Sequence, residues 1–405
     1  MSLLEGTKVI SFNHFLLGPL AAQFLADQGA DVIMIESPKG SFQRTWAPGD
    51  IWVGGESALF FCANRNKRSI AIDLKSEEGR EIIWKLVKDA HVVMENFRPG
   101  VMERLGFGYD AVQAVNPGIV YASASGWGSS GPCVKRPGQD LLAQAFSGLV
   151  HTSGHERPTP VSSSIVDHHG GTIMAAAILG ALVKQARTGE GSRVEIDLLS
   201  AALDLQMEPL TAFMNSGDDR ETRPAGFVSG WQYPAPYGIY SCKDGYVAIS
   251  LGPLDDMAEA LGAPELRDFE QEDTWAKAAE ISRILEKIAA NFSVAEIMER
   301  FESMGLWIAP VNDYAAVAKD PQVNHNETFD KAKMAGGEEA ILMRHPARYD
   351  DDRPGVRIPP QPLGGQSGEI LEELGYGEKD VQQLIEKGVI VAAEAKAVNR
   401  GPRNK

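Results

Sequence analysis

The apolar positions of the first 200 residues fall into short runs, separated by segments with helical spacing. The runs predict β-strands at 8–12, 31–35, 69–73, 91–95, 119–123 and 194–198. The intervening segments predict helices at 18–27, 76–89 and 170–187. Strands that alternate with helices are typical of a doubly wound parallel sheet. The pattern therefore predicts an α/β fold.

The predicted helix at 170–187 is nearly uncharged over its first dozen residues, so we expect it to be buried. No stretch of 18 or more consecutive residues is apolar, and the sequence therefore predicts no transmembrane helix. The first eight residues lack a basic start followed by an apolar run, so no secretory signal is expected.

The pattern changes after about residue 215, where a polar segment at 215–223 is typical of a linker. Short strands, one of them at 246–250, then precede charged amphipathic helices between 256 and 305. This region predicts a smaller α+β domain at 225–325. A proline-rich stretch leads to a last helix at 379–387, and the polar tail after residue 392 is expected to fray.

The composition of the chain limits the partners and the kinds of site that it could have. The 405 residues carry a formal net charge of −16, which disfavours nucleic acid and anionic membranes as partners. The sparse cysteines Cys62, Cys133 and Cys242 predict neither a disulfide framework nor a zinc site. Together these features predict a cytoplasmic protein, and the scattered histidines predict no metal site.

Basic residues stand out against this acidic background because they lie next to predicted strands. The cations are Lys67, Arg68, Lys75, Arg98 and Arg104. Ligands of open α/β sheets bind at the carboxyl ends of strands, and several cations there suit a phosphate-bearing polyanion. A solvated surface patch is the alternative, and the sequence leaves the two interpretations open.

Several nucleotide and hydrolase motifs are missing. The first β–α turn, 13–19, lacks the G-x-G-x-x-G fingerprint, so Glu36 at the end of the second strand is only a weak indication of ribose binding. The chain also lacks a P-loop and a G-x-S-x-G elbow.

Asp167 lies at the start of the long apolar helix, just before Gly170 and Gly171. An aspartate there is commonly a helix cap that accepts bonds from unpaired backbone N–H groups. It is also a candidate catalytic carboxylate, because the glycines would let a ligand approach and the helix terminus would stabilise an oxyanion. Spacing alone leaves both roles open.

Blocks of sequence in a fixed order resemble the CaiB/BaiF family, also called family III coenzyme A transferases. The blocks include KVISFNHFLLGPLAAQFLADQGADVIMIE, NRNKRSIAIDLKSEEGRE, ENFRPGVMERLGFG and TGEGSRVEIDLLSA. The resemblance implies a Rossmann-like large domain built from residues 1–215 and 326–405, with the small domain inserted between them. It also implies a homodimer of two interlocked, ring-like subunits.

The resemblance further implies the chemistry. Asp167 would attack an acyl-CoA thioester, giving a mixed anhydride and then an aspartyl-CoA thioester, with CoA as a substrate and no permanently bound cofactor. The positions that match the family's coenzyme-binding segments are His14, Lys67, Arg68, Lys75, Asn96, Phe97, Arg98, Arg104 and Gln139.

Three alternatives accompany this prediction. Racemases of the family place a histidine where this chain has Gln139, and glutamine cannot exchange protons; this disfavours a racemase, although His168 or His169 could substitute. Intramolecular CoA transfer remains open, and a non-catalytic homologue is opposed by the presence of Asp167. Leu16, Leu17 and Trp127 suggest a larger or more apolar acyl group than formyl or oxalyl.

Overall fold

The computed structural model describes residues 2–217 and 221–392. The tail predicted after residue 392 lies outside the described residues, as does part of the predicted linker at 215–223. The strands are Lys8–Phe12 (β1), Asp31–Glu36 (β2), Trp52–Val53 (β3), Glu56–Ser57 (β4), Lys67–Ile72 (β5), Val92–Glu95 (β6), Val120–Ser125 (β7), Ser192–Asp197 (β8), Gly238–Ser241 (β9), Tyr246–Ile249 (β10), Ile308–Pro310 (β11), Phe329–Lys333 (β12), Glu339–Met343 (β13) and Ile390–Val391 (β14).

The helices predicted at 18–27, 76–89 and 170–187 are present, the last with an earlier start, and several short helices were not predicted. The helices are Leu17–Asp27 (α1), Ala58–Phe61 (α2), Glu77–Lys88 (α3), Val101–Leu105 (α4), Tyr109–Val115 (α5), Asp140–Phe146 (α6), Leu149–Thr152 (α7), Ile165–Thr188 (α8), Leu198–Asp204 (α9), Met207–Met214 (α10), Leu254–Leu261 (α11), Asp273–Ala276 (α12), Ala278–Ala289 (α13), Val294–Ser303 (α14), Tyr314–Val317 (α15), Pro321–His325 (α16), Ser367–Glu373 (α17) and Glu378–Glu386 (α18). Short 3₁₀ turns lie at Phe42–Arg44, Pro48–Asp50 and Pro264–Asp268.

The chain divides into two compact units. Of the described residues, the first unit contains 2–140, 165–201 and 322–392, and the second contains 141–164, 202–217 and 221–321. Residues 141–164 and 202–215, which the sequence analysis assigned to the large domain, therefore group with the second unit.

A seven-stranded sheet in the order β14-β5-β2-β1-β6-β7-β8 forms the centre of the first unit. All neighbouring pairs are parallel except β14, which runs antiparallel to β5. The mostly parallel sheet confirms the predicted α/β class. The pattern did not reveal β14, because two residues are too short a run to show periodicity and the pairing joins Ile390 to Ile72 across the chain.

The long helix α8 was predicted to be buried, and it buries one face only. Its buried positions include Met174, Ala175 and Ile178, whereas Val183 is half exposed. The helix packs along α1 through Gly170 and Gly171. By length and composition alone α8 is long and apolar enough to cross a membrane, a criterion that core helices also meet.

The second unit has its own core. Its antiparallel sheet has the order β11-β10-β9, and helices α11, α13 and α14 cover one face of it. Tyr240, Val247, Ile281, Leu285 and Phe301 fill the space between the sheet and these helices. The alternation of buried and exposed residues along β9 matches the two-residue period of a strand with one covered face.

Candidate active site

The order of the central sheet reverses at β1, which lies between β2 and β6. Open α/β sheets bind ligands at such a switch point, outside the carboxyl ends of the strands. Here the turns after β1 and β6 are joined by two hydrogen bonds. The His14 N–H donates to Asn96 Oδ1 (2.8 Å), and Asn96 Nδ2 donates to the His14 carbonyl oxygen (2.7 Å).

A cavity of about 420 Å³ opens at this switch point. Its walls are mainly apolar and aromatic, so they suit a flat ring better than a bare anion. The lining residues are Phe12, Asn13, His14, Phe15, Ile35, Glu36, Ser37, Pro38, Gly40, Ser41, Phe42, Ile72, Asp73, Leu74, Lys75, Phe97 and Leu105. Three of the predicted coenzyme residues, His14, Lys75 and Phe97, therefore line this cavity.

Aromatic packing sets the position of the His14 ring. Its centroid lies 4.8 Å from that of Phe15 and 5.0 Å from that of Phe97. Burial lowers the pKa of His14 to about 4. The imidazole is therefore neutral at pH 7, and it offers a ligand one hydrogen-bond donor and one acceptor but no charge.

The positive charge near this cavity comes from Lys75, Arg98 and Arg104, which are all exposed. Lys75 lines the cavity, Arg98 follows the lining residue Phe97, and Arg104 precedes the lining residue Leu105. No described residue forms an ion pair with any of the three. Exposed, unpaired cations around an apolar pocket suit a ligand that joins a ring to phosphates.

The structure does not bring Lys67 and Arg68 to this cavity, which corrects their predicted coenzyme-binding role. The Lys67 ammonium group is fully buried and donates to the carbonyl oxygens of Pro19 and Ala63 (both 2.7 Å) and to Asn64 Oδ1 (2.8 Å). Burial lowers the pKa of Lys67 well below its usual range.

Arg68 is engaged by acidic residues instead of a ligand. Its guanidinium group pairs with Asp31 (2.6 Å), Glu373 (2.7 Å) and Glu369 (3.1 Å). Glu36 is likewise occupied, because both of its carboxylate oxygens accept bonds from Arg44 (2.8 and 2.7 Å). Glu36 is therefore not a free ribose ligand.

Asp167 lies in the first turn of α8 and is partly exposed. The helix is capped by Asp140, whose Oδ2 atom accepts the N–H groups of Val166 (2.8 Å) and Asp167 (2.9 Å). None of the described residues donates a hydrogen bond to the Asp167 carboxylate. Asp167 is therefore not the cap, and its carboxylate is available to react.

The surroundings of Asp167 disfavour its ionised form. Burial, and secondarily the neighbouring charge of Asp140, raises the pKa of Asp167 to about 7. A carboxylate with a raised pKa is more basic and hence a stronger nucleophile once ionised. Perturbed acids of this kind are typical of functional sites.

Gly170 and Gly171 serve the packing of two helices, whereas the sequence analysis expected them to admit a ligand. A Cβ atom on Gly170 would lie 2.7 Å from Leu17 Cδ1, and one on Gly171 would lie 2.9 Å from the Leu17 carbonyl oxygen. Helix α1 therefore reaches the first turns of α8. Because α1 follows the turn that lines the cavity, this contact connects the cavity wall to the helix that carries Asp167.

The remaining candidates flank Asp167. Gln139 is exposed and immediately precedes Asp140, the residue that caps α8. His168 is exposed, and burial of its ring lowers its pKa, with Asp140 opposing the change. Among the described residues, no group of three or more His, Cys, Asp or Glu side chains could hold a metal ion.

Sequence reasoning missed two acids. Asp140 caps a helix that begins 25 residues later, so no local capping pattern marks it. Glu95 ends β6 and is buried, and its Oε2 atom accepts the Phe97 N–H at 2.8 Å. The sequence signal for Glu95 is a predicted strand that ends in an acid directly before Asn96 and Phe97.

The known proteins that this chain resembles are CoA-transferases and a CaiB/BaiF family protein. The chain is 36% identical over 409 residues to an acyl-CoA transferase of Fusarium pseudograminearum, covering 96% of this chain and 88% of the relative. It is 31% identical over 398 residues to the human succinyl-CoA:glutarate CoA-transferase, covering 96% and 90%. A CaiB/BaiF family protein from Brucella suis superposes with a TM-score of 0.80 at 31% identity, covering 92% of this chain and 99% of that chain.

A sequence profile described as CoA-transferase family III matches residues 4–367. The match spans the cavity at the switch point, the three exposed cations and Asp167. It confirms the resemblance drawn from the sequence blocks. The chain belongs to family III of the CoA-transferases, the acyl-CoA:carboxylate CoA-transferases.

Proposed function

We propose that this protein moves CoA from an acyl-CoA thioester to a carboxylic acid, with Asp167 as the nucleophile. The observation that carries the proposal is the state of the Asp167 carboxylate. It is partly exposed and receives no hydrogen bond from the described residues, and Asp140 rather than Asp167 caps the first turn of α8. The cavity and the cations Lys75, Arg98 and Arg104 would hold the nucleotide end of CoA.

The proposed reaction has four steps. An Asp167 oxygen attacks the thioester carbonyl and expels CoA thiolate, leaving a mixed anhydride. The thiolate attacks the Asp167 carbonyl carbon, releases the first carboxylate and forms an aspartyl-CoA thioester. The acceptor carboxylate then displaces the thiolate, giving a second anhydride. Attack of the thiolate on the acceptor's carbonyl yields the new thioester and restores Asp167.

A carboxylate suits this reversible exchange because an anhydride retains the reactivity of the thioester, whereas a serine ester would not. The enzyme itself must exclude water and hold the two carbonyl groups for the returning thiolate. The proposal calls for no permanently bound cofactor, and CoA enters only as a substrate.

Chemical trapping tests the role of Asp167. The protein is incubated with an acyl-CoA donor, quenched with hydroxylamine or borohydride, and digested for peptide mass spectrometry. We expect a hydroxamate or a reduced side chain at Asp167, and no adduct in the Asp167→Asn variant. This variant should still bind CoA. An adduct at another residue, or turnover by Asp167→Asn, would contradict the proposal.

A racemase is the second candidate. The observation that favours it is His168 next to Asp167, because a histidine could exchange the proton that a racemase must move. A racemase exchanges the proton on the carbon next to the thioester carbonyl, so it incorporates solvent deuterium there. We expect CoA exchange between acids without deuterium incorporation.

Intramolecular CoA transfer would show as exchange within a single dicarboxylic monothioester and no transfer to an added acid.

The identity of the acid is best sought among both dicarboxylates and apolar monocarboxylates. The human relative is named for succinyl-CoA and glutarate, whereas the sequence suggested a larger or more apolar acyl group. Leu17 gives little support to the apolar choice, because it is buried between α1 and α8. A screen of CoA thioesters against carboxylic acids by mass spectrometry separates the two classes.

We further propose that the protein is an interlocked homodimer in the cytoplasm. In support, helices α6 and α10 of the second unit leave Leu141, Phe146, Met207 and Met214 exposed, each by more than half of its surface. A second copy could bury these side chains. Native mass spectrometry of mixed light and heavy protein should show dimers that exchange subunits only after unfolding and refolding, and cell fractionation checks the location.

A further inference from the structure

Glu95 is a buried carboxyl group next to the coenzyme cavity, and the proposed reaction does not use it. It is the last residue of β6, and only 8% of its surface is exposed. Phe97 lines the cavity, and Asn96 is hydrogen-bonded to the backbone of the lining residue His14. A buried acid is costly to retain without a partner, so its contacts indicate what it does.

The carboxyl group fixes the turn that follows β6. Its Oε2 atom accepts the Phe97 N–H at 2.8 Å, while Asn96 exchanges two hydrogen bonds with the backbone of His14. The Phe97 ring is thereby held 5.0 Å from the His14 ring, on the cavity wall. The position of the ring therefore depends on Glu95.

The charged groups around Glu95 are mostly acidic. Glu103 of α4 and Glu195 of β8 both disfavour its ionisation. Tyr121 of β7 lies near Glu95 and Glu103 and near Arg193 of β8, and Phe12, the β1 partner of Glu95, carries no charge. No described Lys, Arg or His side chain forms an ion pair with Glu95.

Burial first, and then these acids, raise the pKa of Glu95 to about 7, against the opposing effect of the Phe97 N–H. The group therefore exchanges its proton near neutral pH, beside a cavity proposed to bind a polyanion. An ionised carboxylate without a cation would repel the phosphates of the coenzyme. The neutral acid carries its proton on one oxygen and can still accept the Phe97 N–H on the other.

We infer that Glu95 is a proton-linked positioning residue: it holds the Phe97 turn, and it takes up a proton when CoA binds. This inference rests on the proposed function, because the ligand is taken to be CoA. We expect proton uptake because Glu95 is buried, has no ion-pair partner among the described residues and bonds to the backbone of Phe97, which lines the cavity. A negative ligand in that cavity favours the neutral form of the acid.

Calorimetry of CoA binding tests the inference on the full-length protein. CoA is titrated into wild type and Glu95→Gln at pH 7.5, in buffers with different heats of ionisation. Glutamine keeps the acceptor oxygen but cannot titrate. We expect the wild type to take up a fraction of a proton more than the variant. Protonation of the CoA phosphates is common to both proteins and cancels.

The pH dependence gives a second readout. Between pH 6 and 8.5, the CoA affinity of the wild type should fall relative to that of Glu95→Gln, by up to about tenfold, the equivalent of one pKa unit. Glu103→Gln is the matched control, because it removes a nearby acid without removing the titrating group. It should retain most of the wild-type proton uptake.

If Glu95→Gln does not fold, carbon-13 NMR of the glutamate carboxyl groups of the wild type replaces it. One resonance should titrate near pH 7, and its pKa should rise when CoA is added. Equal proton uptake in wild type and Glu95→Gln, or no glutamate that titrates between pH 6 and 8, would overturn the inference. Absence of CoA binding to the wild type would instead overturn the proposed function.

Discussion

At the scale of single residues, similar side chains have opposite roles depending on where the fold places them. Lys67 and Lys75 both belong to the basic segment that resembles a coenzyme site, yet one is fully buried and the other is exposed at the cavity. Asp140 and Asp167 are likewise two acids in contact, of which one caps a helix and the other is free to react.

The two lysines give a paired prediction. Lys67→Met should lower the free energy of unfolding by about 1–3 kcal/mol, because it leaves the carbonyl groups of Pro19 and Ala63 without their donor. Lys75→Met should leave stability unchanged but raise KM for an acyl-CoA about 2- to 10-fold. Urea denaturation and steady-state kinetics check both variants. A raised KM in folded Lys67→Met, with none in Lys75→Met, would contradict this assignment.

Asp140 gives a prediction about pH. The reactive form of Asp167 is ionised, so kcat/KM should rise with pH through its pKa of about 7. Asp140→Asn still accepts the helix N–H groups but removes the neighbouring charge. The pKa of Asp167 should then fall, and the rising limb should move to lower pH by up to about one unit, because burial, the larger cause, remains.

The control for this shift is Asp110→Asn, an exposed acid of α5. Its pH profile should match that of the wild type. If the rising limb of the kcat/KM profile stays in place in Asp140→Asn, or moves to higher pH, Asp140 does not raise the pKa of Asp167.

At the scale of elements, the contact between α1 and α8 relates the cavity to Asp167. Gly171→Ala should push the helices apart, because its Cβ would meet the Leu17 carbonyl oxygen at 2.9 Å. We expect a loss of about 1–3 kcal/mol of stability and a fall in kcat. Thermal denaturation and turnover measure the two effects.

Gly180 lies in the same helix and is the matched control. A Cβ there would meet no atom within 4 Å, so Gly180→Ala should be neutral or stabilise the protein by up to about 1 kcal/mol through helix propensity. Equal effects of the two substitutions would show that the interhelical contact at Gly171 contributes neither to stability nor to turnover.

Most elements of the sheet were predictable because their residues show a local period. The strand at Lys8–Phe12 was predicted with its observed ends, and the helix predicted from residue 76 begins after Ser76, which accepts the Gly79 N–H at 3.1 Å. The burial of Lys67, the cap from Asp140 and the pairing of β14 were not predictable. Each depends on groups far apart in sequence, which periodicity cannot reveal.

At the scale of the whole molecule, a net charge of −16 disfavours the binding of an anionic substrate. The exposed cations Lys75, Arg98 and Arg104 attract such a substrate locally. We expect the local effect to dominate, so CoA should bind more weakly as salt concentration rises. If the net charge dominated, salt would strengthen binding. The combined variant Lys75→Met, Arg98→Met, Arg104→Met should flatten or reverse the dependence, as fluorescence or calorimetric titration would show.

The pairing of β14 with β5 has a consequence for synthesis of the chain. Ile390 borders Ile72, and the Val389 carbonyl oxygen accepts the N–H of Asp73, a residue of the cavity wall. A nascent polypeptide cannot complete that wall until residues 389–391 have left the ribosome. Translation that stops early would therefore release a protein without a finished coenzyme pocket, however much of its sheet had already formed.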